Sequence, residues 1–232
     1  MVFVFLALGI ILVGIFVSKR TAKVTLHIAF LKAVASVCFI LTALFAMVQN
    51  PDCPEIVGAL VAAGGVWGLL GDIALDLKYV FKKYEKEYLY AGFSSFGVGH
   101  IFYIVAMTIA FGFNMKVLIG GLIAAVIGVI IVFLSEPVMK VRYGDYKKIT
   151  VVYLIALGFV VGYSTAYAVV DFSIAKLLLT IGFDLFILSD FFLSGLYFGA
   201  TEKERTSRPA IVLNHIFYYC AQFFIAISLL YI

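Results

Sequence analysis

Residues 78–87, KYVFKKYEKE, form a short lysine-rich loop between two long apolar stretches. Loops of this kind recur along the chain, so that every second loop is basic. Together they hold 14 of the 17 Lys and Arg residues: Lys19, Arg20, Lys23, Lys78, Lys82, Lys83, Lys86, Lys140, Arg142, Lys147, Lys148, Lys203, Arg205 and Arg208. Short loops rich in Lys and Arg stay on the cytoplasmic side of a membrane. The alternation therefore predicts eight membrane crossings, with both termini on the non-cytoplasmic face.

The apolar stretches between the loops are each close to the ~20 residues that a helix needs to cross a bilayer. The predicted spans are residues 2–18, 24–48, 56–77, 88–111, 115–134, 148–170, 173–198 and 208–231. The outer turns near Asn114 and Asp171 are short, which predicts hairpins of the fourth and fifth spans and of the sixth and seventh. No linker or shift in composition marks a second domain. We therefore predict an all-α, polytopic fold in which residues 1–232 form one transmembrane domain.

The composition excludes a soluble domain. The chain is 65% hydrophobic and 13% charged, whereas soluble domains carry about 25% charged residues. The net charge of +4 is explained by the loop anchors, so we expect the lipid bilayer and no nucleic acid as a partner. The three cysteines have neither disulfide nor metal-site spacing. The first apolar run lacks a charged leader region and a cleavage site, so we expect it to be a retained helix.

Ionisable residues inside the predicted spans are candidates for function, because a charge in the bilayer is costly. They are Lys32, Asp72, Asp76, Asp184 and Asp190, together with His100 and His215. The predicted topology places several of them at one depth, in the half of the membrane next to the basic loops. A shared depth favours a polar cavity that opens towards the cytoplasmic leaflet over isolated hydrogen bonds between helices.

Several of these residues also have a purely structural interpretation. Asp76 is close enough to the interface to be solvated, and Asp184 could be a buried structural acid. His100 could fill a packing position, and the Lys32 side chain is long enough to reach the surface. Asn214 and His215 could simply line the interface where the eighth span begins.

Asp72 and Asp190 are the hardest to explain structurally. Each lies among small or apolar residues without a basic neighbour in the sequence, and a buried charge needs a partner or a proton. Four glycines on the third span, Gly64, Gly65, Gly68 and Gly71, predict close helix packing, because small residues let membrane helices approach each other. That packing would bring Asp72 near the polar groups of neighbouring helices.

A series of short motifs resembles a known family. They are GLLGDIAL (68–75), Gly92-Phe93, GHIFY (99–103), FILSD (186–190) and YYCAQ (218–222), preceded by Lys32. Their order and spacing resemble the YhhN-like family of integral membrane lysoplasmalogenases over nearly the whole chain. The resemblance implies an eight-helix hydrolase that cleaves the vinyl ether bond of lysoplasmalogens to a fatty aldehyde and glycerophospho-ethanolamine or -choline. It also implies that Asp72 and Asp190 are the two family aspartates.

A vinyl ether resists nucleophiles but is sensitive to acid, because protonation of its β-carbon produces an oxocarbenium ion. Cleavage therefore needs a proton donor and a second group that stabilises the cation and orients water, as in glycosidases. We predict that Asp72 and Asp190 form this catalytic pair, in either order. The predicted substrate-binding residues are Lys32, His100, Tyr103, Asn214, His215, Tyr218, Tyr219 and Gln222. Lys32 would hold the lipid phosphate or pair with the ionised aspartate, and we expect neither a metal nor another cofactor.

Three alternatives stay open at this point. A zinc hydrolase of the ceramidase-like kind could draw ligands from His100, His215 and an aspartate, although no local metal motif is present. A proton-coupled lipid or small-molecule transporter would also use intramembrane carboxylates. A purely structural membrane subunit would not need the polar cluster. The sequence leaves headgroup preference, chain preference and oligomeric state open.

Overall fold

A computed structural model describes residues 1–232, which form nine α-helices. Eight of them are long and apolar enough to span a membrane, so the chain is a multi-pass integral membrane protein and the predicted all-α fold with eight spans is confirmed. The helices are α1 (Val2–Lys19), α2 (Leu26–Gln49), α3 (Glu55–Val80), α4 (Glu85–Phe111), α5 (Met115–Met139), α6 (Lys147–Val170), α7 (Ile174–Phe198), α8 (Glu202–Arg205) and α9 (Arg208–Ser228).

Side-chain caps explain where several spans begin. Thr25, Ser173 and Ser207 each accept a hydrogen bond from a backbone N–H in the first turn of α2, α7 and α9, which satisfies one of the free donors at a helix start. The short helix α8 was not predicted. It is held by a capping box between Thr201 and Glu204.

The helix α5 extends five residues beyond its predicted end at residue 134. A proline cannot donate a hydrogen bond to the carbonyl four residues earlier, so Pro137 could have ended the helix. In the structure Pro137 lies in the last turn, where the helix forfeits a single backbone hydrogen bond, and α5 continues to Met139. It ends at Lys140, which has a φ of 56°.

The basic loops meet at one end of the bundle, called here the basic end. Arg142 N donates to Phe198 O (2.7 Å), and Ala200 N donates to Lys140 O (3.1 Å). The Arg208 guanidinium donates to Val17 O at 2.7 Å, which joins the start of α9 to the end of α1. The loops that follow α5 and α7 are therefore tied together by backbone hydrogen bonds.

Small residues set the closest helix contacts. A Cβ on Gly99 of α4 would lie 3.0 Å from the Gly64 carbonyl of α3, and Gly71 makes room for the Phe96 ring. The predicted close packing of α3 is therefore present, and it holds Asp72 against its neighbours. A similar contact joins α5 to α6, where a Cβ on Gly128 would lie 2.8 Å from Leu154 O.

The helix α5 stands apart from most of the bundle. Gly112–Asn114 connect it directly to α4, but α5 packs on α6 and makes almost no contact with α4 or α7. The short outer turn therefore does not produce the predicted hairpin of α4 and α5, whereas α6 and α7 do pack together. A gap is left between α5 and α7.

Candidate active site

A cavity of about 40 Å³ opens at the basic end of the bundle and is called here the polar chamber. The helices α2, α3, α7 and α9 contribute most of its polar side chains. Its charged and hydrogen-bonding lining consists of Arg20, Thr21, Lys32, Asp72, Tyr79, Ser189, Asp190, Tyr197, Arg205, Asn214, His215 and Tyr218. Both predicted catalytic aspartates thus line the same cavity.

Asp72 is buried at the wall of the chamber and is held by three donors. Lys32 Nζ lies 3.0 Å from Asp72 Oδ1. The Ser36 and Tyr218 hydroxyls donate to Asp72 Oδ2 at 2.7 and 2.8 Å. A carboxylate with one cation and two hydroxyl donors is stabilised in its ionised form.

A second buried ion pair lies next to Asp72. Arg20 donates to Asp76 Oδ1 at 3.1 Å, and Lys32 Nζ is 3.9 Å from the same oxygen. Asp76 is therefore buried and is not the solvated interface residue that the sequence allowed. Arg20 Nε has no hydrogen-bond partner within the protein, although the Arg20 side chain lines the chamber. Asp76 Oδ2 is likewise buried without a hydrogen-bond partner.

Asp190 has different surroundings from Asp72. It is partly exposed and accepts a short hydrogen bond from the Tyr153 hydroxyl of α6 at Oδ2. No lysine or arginine forms an ion pair with it. The neighbouring Ser189 is fixed by Asn214 of α9, whose Nδ2 lies 2.9 Å from both Ser189 O and Ser189 Oγ. The chamber thus contains one charge-paired carboxyl group and one without a cation.

Four predicted substrate-binding residues do not line the chamber. Tyr219 donates to Lys32 O at 3.0 Å, so it supports the backbone beneath the lysine. The Tyr103 hydroxyl donates to Gln222 Oε1 at 3.0 Å. These residues belong to the packing behind the chamber and do not reach the space itself.

His100 is the fourth of these residues. It is 1% exposed, and neither ring nitrogen has a hydrogen-bond partner. Its ring packs edge-on against Phe186, with 4.9 Å between centroids, and lies 5.7 Å from the Tyr153 ring. His100 therefore packs against the tyrosine that contacts Asp190, but its unpaired ring nitrogens mean that it is not a packing histidine with satisfied hydrogen bonds.

His215 lines the chamber and has its Nδ1 atom 2.7 Å from Ile211 O. A backbone carbonyl can only accept, so this contact requires the proton on Nδ1. Throughout the chain, no three His, Cys, Asp or Glu side chains lie close enough together to hold a metal ion.

Sequence reasoning missed several residues of the site. Arg20 and Arg205 were interpreted as loop anchors, yet both line the chamber. Tyr153 lies in an apolar stretch without any motif, so nothing in the sequence singled it out. Asp184 is exposed on α7 and lies outside the chamber, although it is on the same helix as Asp190. It is therefore not the buried structural acid that the sequence allowed.

A family model described as the YhhN family matches residues 2–229 of the chain. Neither a curated protein nor a solved structure matches the chain. The match covers both chamber aspartates, and it is consistent with a membrane hydrolase.

Proposed function

The chain belongs to the YhhN family, and we propose that it is a membrane hydrolase that cleaves the vinyl ether bond of lysoplasmalogens. The products are a fatty aldehyde and glycerophospho-ethanolamine or -choline. The observation that carries this proposal is the pair of unlike carboxyl groups in one chamber, with Asp72 paired to Lys32 at 3.0 Å and Asp190 without a cation. Acid-catalysed hydrolysis needs one carboxyl group of each kind.

The contacts favour Asp190 as the proton donor. In the proposed first step, Asp190 gives its proton to the β-carbon of the double bond, and the electrons of that bond form a C–H bond. The α-carbon and the ether oxygen then share the positive charge of an oxocarbenium ion. Tyr153 contacts Asp190 Oδ2, which leaves Oδ1 free to carry the proton. General acid catalysis of this kind typically contributes ~10²–10⁴-fold in rate.

Asp72 is the group that stays ionised in this mechanism. Its negative charge stabilises the cation, and it orients the water that adds to the α-carbon. The proton released by that water returns to Asp190 and restores the donor. The resulting hemiacetal then breaks its bond to the glyceryl oxygen, which takes up the hydroxyl proton, and the aldehyde is released.

The cations of the chamber support a phosphate-bearing substrate. Arg20, Lys32 and Arg205 line it together, and Arg205 forms no ion pair within the protein, whereas Arg20 and Lys32 pair with Asp76 and Asp72. Arginine binds phosphate through charge-assisted hydrogen bonds. We propose that the lipid headgroup occupies this part of the chamber. His215, Asn214 and Tyr218 would contact the remaining polar atoms of the substrate.

The basic end supports an orientation in the membrane. Loops rich in Lys and Arg remain in the cytoplasm, so we propose that the chamber opens towards the cytoplasmic leaflet. Both chain termini would then lie on the opposite face. A lysolipid in the inner leaflet could reach this chamber without its headgroup crossing the bilayer.

The test is incubation of detergent-purified protein with a lysoplasmalogen, with aldehyde release measured by coupled reduction. We expect release that persists in EDTA. A lysophospholipid with a saturated ether chain should release nothing, because it has no double bond to protonate. Absence of aldehyde would contradict the proposal, and uptake of intact lysoplasmalogen into proteoliposomes would favour the transporter alternative.

The same assay in D₂O tests the proposed proton transfer. Asp190 exchanges its proton with solvent, so the aldehyde should carry one deuterium on the carbon next to the carbonyl. Immediate reduction to the alcohol prevents later exchange, and a synthetic aldehyde treated in the same way is the control. A product without deuterium would rule out protonation of the double bond.

A further inference from the structure

A second cavity, of about 200 Å³, lies between α5 and α7 and is called here the apolar cleft. Its floor is formed by α6, and most of its lining is apolar, including Ile131, Leu154 and Leu188. Residues 131–139 of α5 line it over roughly 12 Å, at ~1.5 Å per helical residue. The cleft exists because α5 packs on α6 and leaves α7 uncovered.

The opening of the apolar cleft faces sideways from the bundle. Ile131, Leu188 and Phe191 line it and are 46%, 47% and 54% exposed. They belong to helices long and apolar enough to span the membrane, so the opening meets hydrocarbon. Towards the basic end the backbone hydrogen bonds between Arg142 and Phe198 and between Ala200 and Lys140 tie the two flanking loops together. Entry from the bilayer is therefore the open route.

The apolar cleft and the polar chamber share a wall. Asp190, Leu193 and Tyr197 line both cavities. Tyr153, which donates to Asp190, lines the cleft side. Asp190 thus lies where an apolar space meets a polar space lined by Arg20, Lys32 and Arg205. Arg20 and Lys32 pair with Asp76 and Asp72, whereas Arg205 forms no ion pair. A molecule that fills both spaces would have an apolar chain and a polar end that Arg205 can bind, with the join beside Asp190.

We propose that the apolar cleft binds the hydrocarbon chain of a single-chain lysophospholipid, which enters sideways from the bilayer between α5 and α7. The phosphate end occupies the polar chamber, and the first carbons of the chain lie at Asp190. This inference rests on the proposed function in one respect only: the proposed reaction is what makes the first carbons of the chain the ones that react. Because lipid tails are as apolar as the cleft lining, moving a chain into the cleft yields little hydrophobic gain. The cleft therefore determines which carbons of the chain lie beside Asp190, while contacts with the headgroup in the chamber provide most of the binding affinity for the lipid.

Photocrosslinking tests the location of the chain directly. The probe is a lysophosphatidylcholine with a diazirine in its chain, added to the purified full-length protein in micelles and mapped by mass spectrometry. We expect label on residues 131–139 of α5 and 187–194 of α7, and we expect an excess of unlabelled lysophosphatidylcholine to remove it. Label that excess ligand does not remove, or removable label confined to other helices, would overturn the proposal.

Two neighbouring isoleucines provide a matched pair of variants. Ile131 lines the cleft and is 46% exposed, whereas Ile130 does not line it and is 49% exposed. Ile131→Trp should reduce the displaceable label about tenfold, the loss expected when one added ring overfills a packed site. Ile130→Trp should leave it unchanged. Helix content by circular dichroism and elution as a single peak check that both variants fold.

The outcomes separate this inference from the proposed function. If lysoplasmalogen is not cleaved but the cleft is labelled and Ile131→Trp blocks the label, chain binding stands and the proposed reaction fails. If lysoplasmalogen is cleaved and the two Trp variants behave alike in labelling and in aldehyde release, the reaction stands and chain binding in the cleft fails.

Discussion

Replacing Lys32 with Met removes the cation that lies 3.0 Å from Asp72 and keeps a side chain of similar length. The two side chains are 8% and 3% exposed, so water in the chamber would compensate for the lost cation only in part. Ser36 and Tyr218 would still donate to the carboxylate, but its charge would be unpaired. Removing one partner of a buried pair typically destabilises a protein by ~3–5 kcal/mol. Because two hydroxyl donors to Asp72 remain, we expect Lys32→Met to lower the free energy of unfolding by about 3 kcal/mol, the low end of this range.

The assay is unfolding in mixed micelles with increasing SDS, followed by the fluorescence of the single tryptophan, Trp67. The double variant Lys32→Met/Asp72→Asn should regain at least ~1 kcal/mol relative to Lys32→Met, because it no longer carries an unpaired charge. Lys116→Met is the control. Lys116 is exposed at the end opposite to the basic end and forms no ion pair, so its removal should change stability by less than about 0.5 kcal/mol.

A Lys32→Met variant as stable as Lys116→Met would refute a stabilising role for the ion pair. That role is also refuted if the double variant is less stable than Lys32→Met, since the two changes would then act independently. Aldehyde release should be lost in both the single and the double variant. Recovery of stability without recovery of activity would separate the structural effect of the pair from its role in the reaction.

Further predictions concern the donor, the headgroup site and the packing of α5. Tyr153→Phe should lower kcat roughly tenfold, the value of one hydrogen bond to Asp190; an unchanged kcat in steady-state assays would contradict a role for this contact. Arg205→Ala should raise KM for lysoplasmalogen about tenfold with little change in kcat, because the Arg205 side chain would bind the phosphate equally before and during the reaction. A fall in kcat with an unchanged KM would contradict this role. Gly128→Ala should lower the free energy of unfolding by ~1–3 kcal/mol, because the added methyl group would clash with α6. A methyl group at Gly97 meets open space, so Gly97→Ala should leave the stability measured by SDS titration unchanged or raise it.

Hydropathy and loop charge were sufficient to predict the eight spans. A backbone in hydrocarbon must satisfy its own hydrogen bonds, so each long apolar run becomes a helix. Thr25, Ser173 and Ser207 lie at or next to the predicted starts of their spans and cap them. The predicted end of α5 at residue 134 was too early: the helix continues to Met139, with Pro137 inside its last turn.

The sequence predicted the depth of the polar residues better than their direction. Asp184 and Asp190 lie on one helix, but only Asp190 lines the chamber. Depth follows from counting residues from a loop, whereas direction depends on which helices pack together. The pairing of α7 with α9 and the isolation of α5 are tertiary features that no local pattern encodes. For the same reason, Tyr153 of α6 and Arg20 after α1 could not be connected with the two aspartates.

The central claim is that Asp72 and Asp190 act together on a lysoplasmalogen in the polar chamber. Its most direct test compares aldehyde release by Asp72→Asn, Asp190→Asn and the control Asp184→Asn, which changes an exposed aspartate outside the chamber. We expect each chamber variant to lose at least ~10²-fold in kcat while remaining folded, and the control to match the unmodified protein. Full activity in either chamber variant, or an equal loss in all three, would contradict the account.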